Sequence, residues 1–224
     1  MRFYTDDFFV KICGITTEED ALMSIACGAS AVGFVFAPST RQVSPQQVHD
    51  IVRRLPSEAF TVGVFKNELP ERVVEIVNTI GLSAAQLHGA ESLDDVAYIA
   101  ERVGTVIRAL PVTSPRLGAF DDSAADYLLL DGERPGSGEE HDWQALGEVS
   151  LRTPVIAAGG LTPYNVGWVV ASLPVWGVDV SSGVELSPGV KDPAAVLDFV
   201  RAARRAHLER PQEVDQHPFD WNEE

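Results

Sequence analysis

The feature that most constrains the fold is an alternation that repeats eight times within 224 residues. Short runs rich in Val, Ile, Phe and Leu are separated by segments compatible with helices. The runs lie at 8–13, 31–37, 60–66, 84–88, 106–112, 127–131, 154–158 and 177–181. A doubly wound sheet usually has about five or six strands, whereas eight strand–helix units in this length are typical of a barrel. The sequence therefore predicts an α/β protein with a single (β/α)8 TIM barrel.

Residues typical of helix starts lie between the runs, which supports this division into strands and helices. Helix starts are predicted at Thr16 or Thr17, Ser44-Pro45, Leu69-Pro70 and Asp192-Pro193. The segment TSPRLGAFDD carries the weakest helical signal. We expect residues 1–206 to form the barrel. We expect residues 207–224, which are acidic, broken by proline and without periodicity, to form an irregular tail.

Charge and cysteine content limit the possible partners. Lys and Arg total 17 against 33 Asp and Glu, for a net charge of -16, and such a field repels nucleic acid and anionic membrane surfaces. No apolar run approaches the roughly 20 residues needed to cross a bilayer. Cys13 and Cys27 match neither a disulfide framework nor metal-ligand spacing. We expect a soluble, cytoplasmic protein without a metal site, either a monomer or a homodimer.

The stretch FFVKICGITT places an amine and a thiol two residues apart in the first predicted strand. Alternate residues of a barrel strand point inward, and active sites lie at the carboxyl ends of the strands. Lys11 and Cys13 should therefore point inward, with Cys13 at the rim. A small apolar filler is an equally good interpretation of Cys13 from its position alone. The same parity sends Asp131 inward at the end of YLLLD, where burying a carboxylate is costly without a function or a partner.

The seventh and eighth strands are each followed by a glycine-bearing loop. VIAAGGLTPYNV contains Gly159 and Gly160, and VDVSSGVELSPGVKD contains Ser182 and Gly183. Glycines allow backbone amides to approach an anion closely, and these two loops are where such barrels most often bind phosphate. The sequence predicts a phosphorylated small molecule as ligand.

Seven motifs in order along the chain support a more specific hypothesis. They are KICGIT, GFVFAPSTRQV, GVFKN, QLHG, LLLD, AAGGLTPYNV and VDVSSGVELSPGVKD. Together they resemble the phosphoribosylanthranilate isomerases, (β/α)8-barrel enzymes of tryptophan biosynthesis. The resemblance implies that the protein opens the furanose ring of N-(5′-phosphoribosyl)anthranilate and isomerises the aldimine to 1-(2-carboxyphenylamino)-1-deoxyribulose 5-phosphate. This Amadori rearrangement uses no cofactor and no metal in the family.

The resemblance also assigns roles to residues. Asp131 resembles the general acid, which requires a raised pKa, and Cys13 the general base, which requires a pKa lowered by nearby positive charge. Arg41 resembles the arginine that holds the anthranilate carboxylate. His88 occupies a family position, although a structural histidine is an equally good interpretation. The backbone of the two glycine loops matches the phosphate positions: Gly160, Leu161, Ser182 and Gly183.

Three alternatives stay open at this point. A sugar-phosphate isomerase of the histidine or dual-substrate type uses the same chemistry, but has an aspartate where Cys13 stands. A non-catalytic phosphate-binding barrel would be expected to have lost Cys13 or Asp131. A metal-dependent epimerase would cluster His and carboxylate ligands on strand ends, which this sequence does not. One departure from the family is Glu139-Glu140, where a lysine is common, so substrate affinity could be lower.

Barrel closure makes one further prediction. Parity in GVDVSSG turns Asp179 inward, and closure places the eighth strand beside the first. Because an unpaired ammonium in a barrel interior is costly, we expect Lys11 and Asp179 to form a buried ion pair beneath Cys13. The pair would hold positive charge near the thiol and add Asp179 to the residues of the substrate site.

Overall fold

The computed structural model describes residues 8–121, 123–131 and 151–210. Eight parallel strands close into one barrel in chain order, with the eighth strand paired to the first. The strands are β1 Phe9–Cys13, β2 Ala31–Val35, β3 Phe60–Phe65, β4 Ala84–Leu87, β5 Val106–Pro111, β6 Tyr127–Asp131, β7 Val155–Ala157 and β8 Gly177–Val180. The predicted (β/α)8 barrel is confirmed, and each strand lies within its predicted run.

Helices lie between most of the strands and after the last one. They are α1 Glu18–Ala26, α2 Pro45–Val52, α3 Pro70–Ile80, α4 Leu93–Ala100, α5 Leu117–Asp121, α6 Val166–Ser172 and α7 Pro193–Leu208. Local chemistry explains their starts. The side chains of Thr17, Ser44 and Asp192 accept hydrogen bonds from backbone N–H groups of the first turn, and proline follows the last two. The predicted starts are confirmed, and the weak segment contains the short helix α5.

Strand parity divides the apolar side chains into two layers. Val10, Ile12, Leu128 and Leu130 pack between the strands and the helices. An inner layer inside the barrel contains residues of alternate parity, among them Phe9, Ala31, Val62, Ala84, Ile107, Leu129 and Ile156. The inward placement predicted for Lys11, Cys13, Asp131 and Asp179 follows from this alternation.

A small hairpin follows β8. Ser182–Val184 form a 3-10 turn, and β9 (Glu185–Ser187) then pairs antiparallel with β10 (Val190–Lys191). Thr16 Oγ1 donates a hydrogen bond to the carbonyl of Gly189 at 2.6 Å, which attaches the hairpin to the loop after β1. The hairpin therefore lies at the end of the barrel where the strands finish.

Two sequence predictions fall on other parts of the chain. Glu139-Glu140 and the tail from residue 211 onward lie outside the described residues.

The last helix ends at Leu208, two residues beyond the expected domain boundary. In the described ranges, none of the helices has the length and apolar character needed to cross a membrane.

Candidate active site

One pocket opens at the carboxyl ends of the strands. All nine residues that the sequence predicted for the site line it: Cys13, Arg41, His88, Asp131, Gly160, Leu161, Asp179, Ser182 and Gly183. Lys66 and Gln86, for which no site role was predicted, line it as well. The pocket joins the ends of seven strands that are spread along the sequence, because barrel closure brings their carboxyl ends to a common rim.

Below Cys13 lies the ion pair that parity predicted. Lys11 and Asp179 are neighbours in the register of β1 and β8, and Lys11 Nζ donates to Asp179 Oδ1 at 2.8 Å. The Lys11 side chain is fully buried. Burial would lower the pKa of Lys11, but the attraction and hydrogen bonding of Asp179, together with those of Cys13, outweigh it and raise that pKa above its ordinary value. The predicted ion pair is confirmed.

The expected low pKa of Cys13 is wrong. Burial of the thiol raises its pKa, and the positive charge of Lys11 lowers it by less than burial raises it. Asp179 raises it further, because its negative charge offsets that of Lys11 at the sulfur. The sign predicted for the effect of Lys11 is correct. The protein at rest therefore favours the thiol.

Asp131 ends β6 and is 6% exposed. His88 Nε2 lies 3.5 Å from Asp131 Oδ2, and His88 Nδ1 lies 3.4 Å from Gln86 Nε2. Burial lowers the pKa of His88 to about 4. Because the imidazole is neutral near pH 7, its 3.5 Å contact with Asp131 is a polar contact rather than an ion pair.

The two glycine loops pack directly against each other at one side of the pocket. Gly159 and Gly160 adopt positive φ angles of 87° and 64°. Asn165 fastens this turn, since its Nδ2 donates to the Gly160 carbonyl at 2.9 Å and its Oδ1 accepts from Thr162 N at 2.7 Å. A Cβ at Gly183 would collide with the Leu161 carbonyl, so only glycine permits this approach of the two backbones.

Arg41 lies across the pocket mouth beside Cys13. Its Nε and Nη2 donate to the two carboxylate oxygens of Glu185 at 2.8 and 2.7 Å. The hydrogen bonds from Arg41 to Glu185 raise the pKa of the guanidinium. Lys191 Nζ donates to the same carboxylate at 2.8 Å, and the Lys191 side chain is completely buried.

Sequence reasoning did not single out these partners of Arg41, nor a second buried ion pair. Arg108, fully buried in β5, donates to Glu91 at 2.6 Å and to the carbonyls of Leu87 and Gly89 at 2.7 Å. These bonds fasten the loop that carries His88. A charged residue inside the apolar run VIRALP was the available signal for Arg108. The signal for Glu185 and Lys191 was weaker, because both lie in a glycine- and proline-bearing loop where charges are usually solvated.

A closed eight-stranded barrel with a thiol, a carboxylate and two glycine loops around a pocket at its carboxyl face is typical of a (β/α)8-barrel enzyme. A family described as N-(5'phosphoribosyl)anthranilate (PRA) isomerase matches residues 10–202. The chain belongs to this family.

Individual relatives agree with this assignment. An N-(5'-phosphoribosyl)anthranilate isomerase of Desulforudis audaxviator is 42% identical over 205 residues, which cover 88% of this chain and 98% of the relative. The crystal structure of phosphoribosyl anthranilate isomerase from Thermotoga maritima has a TM-score of 0.82 and 40% identity, covering 88% of this chain and 99% of that one. A phosphoribosyl anthranilate isomerase in complex with reduced 1-(o-carboxyphenylamino)-1-deoxyribulose 5-phosphate has a TM-score of 0.76 and 38% identity, covering 88% and 99%.

Proposed function

We propose that the protein converts N-(5′-phosphoribosyl)anthranilate into 1-(2-carboxyphenylamino)-1-deoxyribulose 5-phosphate, an isomerisation step of tryptophan biosynthesis. The observation that carries the proposal is the meeting of Cys13 and Asp131 in one pocket with both glycine loops, in a chain that belongs to this isomerase family. The binding of a reduced product by one relative supports a phosphorylated small molecule as ligand.

The reaction needs one proton donor and one proton acceptor. Asp131 protonates the furanose oxygen, so that the bond from this oxygen to C1′ breaks and the ring opens to the protonated aldimine. Cys13 then removes the proton from C2′, and the electron pair of that C–H bond forms the C1′–C2′ double bond of the enol while the π pair of the C1′=N bond moves to nitrogen. Neutral His88 lies next to Asp131, where an imidazole N–H directed at the carboxylate would stabilise the anion that remains after the proton transfer.

Because the pKa of Cys13 is raised, its thiol must first lose a proton to solvent before Cys13 can act as the base. The thiolate is the base, and it forms more readily where positive charge is close to the sulfur. Lys11 supplies that charge from one inward layer below, and it remains charged because Asp179 raises its pKa. A buried thiolate at the pocket floor is a stronger base than a solvated one, which favours abstraction of a carbon-bound proton.

The substrate has two anionic groups, and the pocket offers two places for them. The backbone around Gly160, Leu161, Ser182 and Gly183 is assigned to the 5′-phosphate, since uncharged amides bind an anion in a protein of net charge -16. Arg41 is assigned to the anthranilate carboxylate. Asp179 acts through Lys11 and lines the pocket floor.

The alternatives are not favoured. The matching family and the relatives described above are phosphoribosylanthranilate isomerases. Cys13 also stands where the resemblance would require an aspartate in an isomerase of the histidine type. A non-catalytic barrel has no reason to keep both Cys13 and Asp131. A cytoplasmic location and the choice between monomer and homodimer stay predictions.

The test is a fluorescence assay that follows consumption of phosphoribosylanthranilate generated in situ. Cys13→Ser and Asp131→Asn should each lower kcat by about 10²- to 10⁴-fold, because each removes a proton-transfer group, while affinity for a product analogue changes little. Cys27→Ser and the exposed Asp50→Asn are matched controls that should retain wild-type rates. Retention of more than about a tenth of the rate by both site variants would contradict the proposed roles.

A further inference from the structure

Glu185 is the buried centre of a three-residue charge cluster at the pocket mouth. Its carboxylate accepts from Arg41 at 2.8 and 2.7 Å and from Lys191 at 2.8 Å, and its side chain is 4% exposed. Burial alone would raise the pKa of Glu185, but the hydrogen bonds from Arg41 and Lys191 hold it below its ordinary value. The cluster therefore has two cations and one anion, with one net positive charge at the pocket.

The backbone that carries Glu185 is fixed on both sides. Thr16 holds Gly189 at the turn of the hairpin, Asp20 Oδ2 accepts from Lys191 N at 3.3 Å, and Asp192 N donates to Val184 O at 2.9 Å. Lys191 Nζ also donates to the Ser181 carbonyl at 3.2 Å, next to the eighth strand. Glu185 thus stands on a hairpin that is attached to the first and last strand–helix connections of the barrel.

A glycine beside the stem of the Arg41 side chain leaves room for that side chain. A Cβ at Gly14, whose φ is 76°, would lie 2.5 Å from Arg41 Cδ, so the absence of a side chain there leaves room for the arginine stem. A guanidinium has five N–H donors in a planar fork, and Glu185 takes the edge formed by Nε and Nη2. The edge that includes Nη1 can still pair with a second carboxylate.

We propose that Glu185 is a positioning residue, which holds the Arg41 guanidinium by one edge so that the other edge binds the aromatic carboxylate of the substrate. The inference rests on the proposed function, in which Arg41 contacts that carboxylate. Glu185 touches no reacting atom in this proposal. Its contribution is to keep a side chain with several rotatable bonds in one orientation before the substrate arrives, which lowers the entropic cost of binding.

Glu185→Gln removes the anion that holds both cations, and because burial already lowers the pKa of Lys191, the buried amine then favours its neutral form. Lys191 is buried and cannot move into solvent, whereas Arg41 is 16% exposed and borders the open pocket. Arg41 keeps its charge but loses the paired hydrogen bonds to the Glu185 carboxylate, so it should turn toward solvent and its carboxylate-binding edge should leave the pocket. The loss of orientation decides the sign of the effect, because a neutral Lys191 leaves the cluster with the same single net positive charge as before.

The test compares two stable ligands. One is reduced 1-(o-carboxyphenylamino)-1-deoxyribulose 5-phosphate, and the other is its counterpart without the carboxylate, reduced 1-phenylamino-1-deoxyribulose 5-phosphate. Calorimetry gives both dissociation constants for each variant. Glu185→Gln should weaken the carboxylated ligand by about tenfold, the lower end for hydrogen bonds to charged groups, and leave the other ligand within about twofold.

Two further variants separate orientation from charge and folding. Glu185→Asp keeps the charge but is too short to reach Arg41 and Lys191 in the same geometry, so it should show an intermediate loss for the carboxylated ligand only. Glu18→Gln removes the same charge from a surface pair with Arg54 and should change neither constant. Equal weakening of both ligands by Glu185→Gln indicates a structural role and overturns the inference. Tighter binding of the carboxylated ligand also overturns it, because Glu185 would then compete with the substrate.

Arg41→Gln distinguishes the inference from the proposed function. It should abolish the preference for the carboxylated ligand. If it does so while Glu185→Gln leaves the preference intact, only the positioning role of Glu185 fails. If Arg41→Gln leaves the preference intact, the carboxylate site of the proposed function is itself wrong, and the role of Glu185 fails with it.

Discussion

The pKa of Cys13 is set by influences that oppose one another. Burial favours the neutral thiol, Lys11 favours the thiolate, and Asp179 offsets part of the lysine charge at the sulfur. The ion pair is nonetheless required, because a buried ammonium without a partner would lose its proton. Asp179 therefore keeps Lys11 charged at the cost of some of its effect on Cys13.

Lys11→Met should raise the pKa of Cys13 further, because it removes the largest influence that lowers it. In the proposed mechanism the base is the thiolate, so the rising limb of the pH profile of kcat/KM should move to higher pH, and the rate near pH 7 should fall. Alkylation of Cys13 by iodoacetamide, measured against pH in a Cys27→Ser background, reports the same pKa directly. An unshifted profile would remove Lys11 from the mechanism.

A control must account for the partner of Lys11. The single variant leaves Asp179 buried without its cation and should be destabilised, by about 3–5 kcal/mol for a broken buried pair. Lys11→Met with Asp179→Asn should recover much of that stability. It should not recover the effect of the positive charge on Cys13, so stability and thiol pKa separate in the double variant.

At the scale of elements, the site depends on how closely β1 and β2 approach. Cys13 is the register partner of Gly33, and a Cβ at Gly33 would lie 3.0 Å from Cys13 Sγ, Lys11 Cε and Lys11 Nζ. A glycine at this place in β2 leaves the space that the thiol and the ammonium occupy. The position of Cys13, the proposed base, therefore depends on β2 as much as on β1, the strand that carries it.

Gly33→Ala should displace the Cys13 sulfur or the Lys11 amine and lower kcat, with an overpacking cost of about 1–3 kcal/mol in stability. Steady-state kinetics and urea unfolding measure the two effects. Gly118→Ala is the matched control, because a Cβ there meets nothing within 4 Å, and both quantities should be near or above wild type. Wild-type kinetics for Gly33→Ala would show that the strand contact does not govern the position of the base.

At the scale of the whole molecule, the two ends of the barrel have different roles, one in binding and one in packing. The carboxyl end holds the pocket. Near the amino-terminal ends of the strands, Trp176 stacks on Phe9 with ring centroids 4.7 Å apart and on Tyr127 at 4.4 Å. This cluster packs against the inner core layer and covers the end that has no part in the chemistry.

Trp176→Ala should lower the free energy of unfolding by up to about 3 kcal/mol, less than for a fully buried tryptophan because this side chain is only partly buried. The kcat of the folded enzyme should be unchanged. Thermal unfolding and assays below the transition measure both. A substantial loss of kcat in folded protein would show that the two ends of the barrel are coupled.

The residue pattern alone determined the barrel, the side of each strand that faces inward and the pairing of Lys11 with Asp179. These follow from a local period of two residues and from the fixed order of strands in a closed barrel. The motifs likewise predicted the residues that meet in the pocket.

Only the tertiary structure decided the pKa of Cys13 and the partners of Arg41. Burial of Cys13 outweighs the nearby lysine, and neither the depth of a thiol nor the balance of the charges around it is written in the local pattern. Glu185 reaches Arg41 across 144 positions of sequence, because a hairpin after the last strand folds back over the loops of the first two. Such a contact depends on the path of a loop in space, which strand periodicity does not encode.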